Sequence, residues 1–289
     1  MKKTINLFDA QQMSIEYPEQ LSLLQQVVRQ EVNGEHGYVV LNNINYNVEC
    51  PMSRDLIFTK IAEALGNPEG HDAAGKIIWD VKPKPQVSTG ISTFSEHNDE
   101  APPHNDSVYS QNIEDTFGLL CVTPASDGGG RSVITSVASI ISELEKSCSG
   151  QCFLNLLRYE QFPFAIPSIF IGKEGNPDQT FVAAPVLEKY DHCRFRQDLI
   201  LKGFEQAPDL WSQEKEDAVR AFYKMAVSGN HSVSFSMEKG DILFGHNRRI
   251  LHARTPFEDT NRHLLRIRMR DEIQTPKQSP TLETVGLFV

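Results

Sequence analysis

The chain has 289 residues, 39% of them apolar, which is enough for a sizeable buried core. Its 38 acidic against 28 basic side chains give a formal charge of -10, which argues against nucleic acid or an anionic membrane as partner and favours a small molecule. Five sparse cysteines, and no apolar run long enough for a leader peptide or a bilayer span, predict a cytoplasmic protein with reduced thiols.

In chain order, Leu21, Leu24, Val27 and Val28 recur at helical spacing over residues 18–32, and the run breaks at Asn33-Gly34 before the apolar stretch 37–41. That predicts helix, turn and buried strand. A second amphipathic helix is predicted over 53–65, stopped by Gly66-Asn67-Pro68, because glycine takes a left-handed cap and proline cannot continue the helix. Strands are predicted over 77–81, 117–122, 132–135, 232–235, 242–244, 250–252 and 264–269, each short, apolar or alternating, and bounded by turn residues. Between residues 153 and 201 the texture changes to prolines, aromatics and scattered charges without a sustained period, which predicts an irregular lid or substrate insertion. No repeat or linker divides the chain, so one domain over 1–289 is expected, mainly β, a sandwich or barrel carrying helices on one side.

The segment Pro102-Pro103-His104-Asn105-Asp106 sets two potential ligands two residues apart, on one face if the backbone is extended. Near the other end, 240–244 leads through His246-Asn247-Arg248-Arg249 to Ile250-Leu251-His252, a strand pair that could bring a third ligand. Two histidines and one carboxylate leave three positions of an octahedron open, the arrangement by which iron(II) takes a bidentate oxo acid and dioxygen. Structural zinc would fill four positions with Cys or His, and no cysteine spacing here suits that. Beyond His252, Arg262, Arg266 and Arg268 stand at even-numbered intervals, which places them on one face of a final strand. Buried guanidinium groups need anions, and a dicarboxylate co-substrate supplies one in bidentate fashion.

With GYVVLNNI, AEALGNP, PPHNDSVY, FGLLCVTPASDGGGRSVITS and GDILFGHNRRILHARTPF followed by RHLLR, the chain resembles the taurine dioxygenase and clavaminate synthase group of iron(II)/2-oxoglutarate oxygenases over most of its length. The resemblance implies a double-stranded β-helix (jelly-roll) core with flanking helices and the cofactors Fe(II), 2-oxoglutarate and O2. His104, Asp106 and His252 would be the metal ligands, Arg262 would hold the distal carboxylate of 2-oxoglutarate, and Ser132 would assist it. Arg266 matches an arginine that faces the substrate or shares the co-substrate pocket. Because the His252 to Arg262 interval is shorter than in clavaminate synthase, Arg266 stays the alternative holder of that carboxylate. Asp106 stands where the clavaminate branch usually carries Glu, and where related halogenases carry a small residue, which disfavours halogenation.

The expected activity is oxidation, foremost hydroxylation, of an aliphatic C–H in a small, amino-acid-like substrate in biosynthesis. A desaturase or cyclase of the same family is the alternative, separated by product mass. From another class, a non-catalytic jelly-roll binding protein would bind without forming succinate. Asn105, Ser107 and Tyr109 flank the ligands and are candidates to reach substrate, whereas His97, His246 and His263 are expected to be structural or exposed. Oligomeric state is not encoded in any feature of the sequence.

Overall fold

The computed structural model describes residues 7–9, 18–42, 44, 46–71, 75–84, 94–172, 176–188 and 191–270. Residues 1–6 and 10–17, which include most of the stretch considered for a leader, and 173–175 and 189–190 of the anticipated insertion lie outside the described residues.

The first half runs β1 (Leu7–Asp9), α1 (Pro18–Val32), β2 (Tyr38–Asn42), α2 (Pro51–Ala62), β3 (Asn67–Pro68), β4 (Trp79–Val81), β5 (Ala101–His104), β6 (Thr116–Thr123) and β7 (Ser132–Ser136). The chain continues through α3 (Val137–Leu144), α4 (Cys148–Tyr159), β8 (Phe162–Ala165), β9 (Phe181–Ala184), α5 (Gln197–Gln206) and α6 (Gln213–Val227). It closes with β10 (Ser232–Phe235), β11 (Ile242–His246), β12 (Ile250–Arg254) and β13 (His263–Arg270).

Two sheets face each other. One has the order β1-β2-β11-β6-β13-β3 with β4 added on β13, and the other the order β10-β7-β12-β5. Every pairing is antiparallel except that of β1 with β2. Alternation along the strands sends Phe117, Cys121, Leu243 and Leu264 of the larger sheet and Ile134 and Ile250 of the smaller one into the space between them. The opposite face of the larger sheet, with Leu120, Phe244, Leu265 and Ile267, buries against α1 and α2. Leu24, Val28 and Val32 recur every fourth residue along α1 and meet this face, each burial contributing about 1.5–3 kcal/mol.

Helices cover both outer surfaces rather than the one expected, because α3 to α6 form a second apolar layer with Leu251 on the back of the smaller sheet. The segment after residue 153, expected to be irregular, is a helix end, the β8-β9 hairpin and the start of α5. Its prolines sit inside this order: Pro163 is within the hairpin, and its carbonyl packs so closely on Gly203 of α5 that a Cβ there would come within 2.0 Å. Gly66 ends the α2 region at φ +130, a conformation that suits only glycine, and releases the chain into β3. Among the described residues, no helix is long and apolar enough to cross a membrane.

Candidate active site

The sheet register brings the two histidines together: His252 of β12 stands directly opposite His104 at the end of β5, with ring centroids 4.2 Å apart. β5 stops there, so Asp106 lies not on an extended strand but on the turn that follows, next to Ser107 at φ 55. The turn carries the carboxylate back, and one ligand atom each from His104, Asp106 and His252 falls within 4.8 Å of the others. His104 Nδ1 lies 2.7 Å from the Pro102 carbonyl, which fixes the proton on that nitrogen and turns Nε2 toward the cluster. His252 Nε2 is buried without a partner. A buried imidazole nitrogen with no partner is costly, and a metal bound beside Asp106 removes that cost. The donor set therefore fits an octahedral metal with open positions.

Electrostatics suit ligation. Burial holds both imidazoles below their usual range, and for His104 the neighbouring His252 adds to this, so both keep the lone pair that a metal needs. Burial raises the Asp106 carboxyl, but Arg266, then His252, His104 and Arg268, outweigh it and hold the group well below the usual carboxylate range. Arg266 Nη1 is 3.1 and 3.2 Å from the two Asp106 oxygens.

A reciprocal pair of buried amides holds the ligand turn. Asn105 Nδ2 donates to the carbonyls of Asn247 and Ile250, the latter at 2.9 Å, while its Oδ1 accepts from Phe195 N at 2.8 Å and Cys193 Sγ at 3.2 Å. Asn247 Oδ1 accepts from Asp106 N at 2.9 Å, and its Nδ2 donates to the carbonyls of Asp106 at 3.2 Å and Glu114 at 2.9 Å. The carboxylate turn is thereby fastened to the β11-β12 turn that leads into His252. Asn105, a candidate for substrate contact from its position in sequence, is fully engaged in this way.

On one side of the ligands a cavity of about 60 Å³ is lined by His104, Ser132, His252, Arg254, Arg262 and Arg266, among others. Arg262 is buried, and burial lowers its guanidinium to about 10; Nη2 donates to the Gly130 carbonyl at 3.1 Å and Nη1 has no partner. Gly130 makes room for it: at φ 63 it takes a left-handed conformation, and a Cβ there would stand 2.5 Å from Arg262 Nε. Ser132 is buried at the start of β7. The three arginines do not share one face as the spacing suggested. Arg262 precedes β13, whose pairing with β6 is bulged between His263 and Leu264. Arg266 and Arg268 do share a face, and Arg270 follows them.

Arg254 was not singled out by the sequence reading. Its guanidinium donates to the carbonyls of Phe94 at 2.9 Å, His97 at 2.8 Å and Asp99 at 2.6 Å, which fixes the approach to β5 and sets the Phe94 ring edge-on to His104. The available signal was its place two residues after His252, on the same side of the strand. His71 was missed as well, since an isolated histidine in a polar loop carries no pattern. It sits in the field of Arg268 and Arg266, and burial followed by these two charges lowers it to about 3. His263 bonds Asp80 at 2.8 Å, a local role of the kind expected. A larger cavity of about 540 Å³ opens away from these ligands, between the α1-β2 turn and α3; there Glu143 is paired with Lys146 and no metal-ligand cluster is present among the described residues.

The profile described as "Taurine catabolism dioxygenase TauD, TfdA family" matches residues 2–268. The chain belongs to this family. A similar protein is the taurine hydroxylase-like protein SAT17 of Stachybotrys chartarum, 25% identical over 271 residues; the match covers 86% of this chain and 64% of that protein, less than two thirds of its length. Among solved structures, an asparagine oxygenase in complex with Fe(II), 2S,3S-3-hydroxyasparagine and succinate superposes with TM-score 0.66 at 19% identity, covering 88% of this chain and 80% of that one. The non-haem iron oxygenase OrfP in complex with Fe gives 0.64 at 15% identity, covering 88% and 83%. PvcB from Pseudomonas aeruginosa gives 0.58 at 16% identity, covering 86% and 81%. These likenesses show that the TauD, TfdA chain has the jelly-roll fold expected from its sequence, with the helical layers as described above.

Proposed function

We propose that the chain is an iron(II)- and 2-oxoglutarate-dependent dioxygenase that hydroxylates an aliphatic C–H of a small, amino-acid-like substrate. The observation that carries this reading is the meeting of His104, Asp106 and His252 beside a cavity lined by Arg262, whose buried Nη1 has no partner. In this reading the two histidines and the aspartate hold the metal, and Arg262, backed by Ser132, takes the distal carboxylate of 2-oxoglutarate. Arg266 is engaged with Asp106, which favours Arg262 over it for the co-substrate and leaves Arg266 to orient the metal carboxylate and border the substrate. When bound, iron and 2-oxoglutarate supply the oxidising chemistry, with dioxygen consumed and succinate and carbon dioxide released. The protein positions the target C–H and keeps water away from it, for which a buried, strand-walled site is suited.

Ligands bound by solved structures of similar fold support the substrate class, since 3-hydroxyasparagine in one and hydroxylated arginine in another are amino acids. The test is succinate formation from 2-oxoglutarate and air by ferrous-loaded protein, with product mass recorded for pools of amino acids. Succinate that rises with one pool, with a product one oxygen heavier, is expected. A product lighter by two hydrogens would replace hydroxylation by desaturation or ring closure, and failure to bind 2-oxoglutarate at all would remove the dioxygenase reading.

A further inference from the structure

Two arginines of the cavity beside the ligand cluster share one aromatic ring. The guanidinium carbons of Arg254 and Arg262 each lie 4.9 Å from the centroid of the Phe257 ring. Both arginines are buried, and burial, followed by the charge of Arg262, lowers Arg254 to about 10. The two cations therefore feel one another. Among the described residues no carboxylate pairs with Arg262, and Arg262 Nη1 and Arg254 Nε are each buried without a partner. Like charges gathered in a dry place are costly, and the negative face of an aromatic ring offsets part of that cost for both.

Phe257 is buried and fixed on two sides. Its backbone N donates to the Asn98 carbonyl at 3.0 Å, and its own carbonyl accepts from Asn98 Nδ2 at 3.0 Å. Asn98 belongs to the segment 94–99, whose carbonyls at Phe94, His97 and Asp99 are those that Arg254 binds. The glycine turn stands on the other side: a Cβ on Gly129 would come within 2.8 Å of Phe257 Cβ, and one on Gly130 within 2.5 Å of Arg262 Nε. Both glycines thus let the turn press on the ring and on the guanidinium together. Arg254 and Arg262 line the cavity and Phe257 does not, so the ring acts on a bound molecule only through the two arginines. We propose that Phe257 is a positioning residue for the co-substrate, its ring holding Arg254 and Arg262 together as one cationic wall of the cavity. The distal carboxylate of 2-oxoglutarate then meets donors already in place, and less of its binding free energy goes into ordering them. This rests on the reading above that Arg262 takes that carboxylate, and it adds that Arg262 is held for the task by an aromatic face. A co-substrate without a distal carboxylate gains nothing from the ring.

The experiment uses the full chain loaded with iron(II) under nitrogen, so that binding is read without turnover. Wild type, Phe257→Leu and Phe257→Tyr are each titrated with 2-oxoglutarate and with 2-oxobutyrate, which has the same keto acid end and no distal carboxylate. The readouts are the visible band of the iron chelate and the shift in unfolding temperature. Phe257→Leu fills the space without a ring and is expected to weaken 2-oxoglutarate about 5- to 30-fold while 2-oxobutyrate stays within about twofold. Phe257→Tyr, which keeps the ring, should remain within about threefold of wild type for both acids. Phe257→Met carries the same expectation as the leucine variant and replaces it if iron binding and unfolding temperature show that Phe257→Leu does not fold. The proposal is overturned if the aliphatic variant weakens both acids alike, the mark of a merely structural ring. It is overturned equally if that variant changes neither acid, or if Phe257→Tyr loses 2-oxoglutarate as the aliphatic variant does. Wild-type protein that binds the two acids equally well is a different result, which removes the carboxylate role of Arg262 from the parent reading and this proposal with it.

Discussion

The two flanks of the ligand cluster are built differently. On the Arg262 flank, His252 and Arg254 belong to β12, Ser132 opens β7, and Arg262 enters β13 under the glycine turn at Gly130. On the other flank, His71, Tyr109, Glu114 and Phe170 lie on connecting segments, and Arg268 is the strand residue, while Arg266 lines the Arg262 cavity and meets Asp106 between the two flanks. Strand residues are placed by hydrogen-bonded registers that a single substitution cannot slide, whereas connections change length and sequence at little cost to the sheets. In the reading proposed here, the half of the chemistry shared across a family sits on the sheets and the half that differs among substrates sits on the connections.

The widest break in this comparison comes from Asp106, which borders both flanks. Asp106→Ala is expected to abolish iron binding at micromolar metal and with it all succinate formation, measured by metal analysis and product assay. Turnover retained in the variant would mean that the carboxylate is not a ligand. A one-sided break comes next. Arg262→Gln removes a charged partner worth roughly 2–3 kcal/mol, which raises the KM for 2-oxoglutarate about 30- to 150-fold. Substrate affinity, read by titration at saturating 2-oxoglutarate, should stay within about twofold, because Arg262 belongs to the other flank. If Arg266→Gln produced the 2-oxoglutarate defect instead, the two arginines would exchange roles.

Asn247→Ala tests the fastening that both flanks share. It leaves the Asp106 amide and the Asp106 and Glu114 carbonyls without their side-chain partners, a loss of roughly 2–4 kcal/mol. Iron affinity is expected to fall about 10- to 100-fold, as for residues that orient metal ligands, with a lower Tm. A lower Tm with unchanged iron affinity would reduce the amide pair to a stabilising role.

The same division explains what could be read in the sequence. Strands β2, β6, β7, β10, β11, β12 and β13 were legible because alternation and turn residues mark each one locally. The meeting of His104 with His252 was inferred from residue types, yet what produces it is the pairing of β5 with β12 across a long loop, which no local pattern encodes. The later helices were missed although their starts carry a signal: Ser136, Ser147 and Ser212 each accept a backbone N–H in the first turn of α3, α4 and α6. In α6, Ala218, Val219, Phe222 and Ala226 form the buried stripe, but two of the four are alanine, which marks an apolar face weakly. Glu114 and His71 were invisible for a different reason. Their surroundings come from segments far apart in the chain, and a single acid or histidine has no period.

The smallest effect gives the sharpest view of the connecting flank. Phe170 stands on the connection between β8 and β9 and is half-exposed, so its removal opens no core cavity. Its stack on Tyr109, with the rings inclined by only 18°, is worth about 0.5–1.5 kcal/mol. Phe170→Ala should therefore weaken substrate binding roughly 2- to 12-fold by loosening Tyr109 beside Arg268 and Glu114. The KM for 2-oxoglutarate should be unchanged, since no strand of the Arg262 flank is touched. Phe170→Leu, which keeps apolar cover without the aromatic face, separates the two contributions: recovery of affinity would assign the part of this connection to burial, and no recovery would assign it to the orientation of the Tyr109 ring. A defect in 2-oxoglutarate binding in either variant would show that the two flanks are not independent, because the β8-β9 connection would then be shaping the strand-borne half of the site as well.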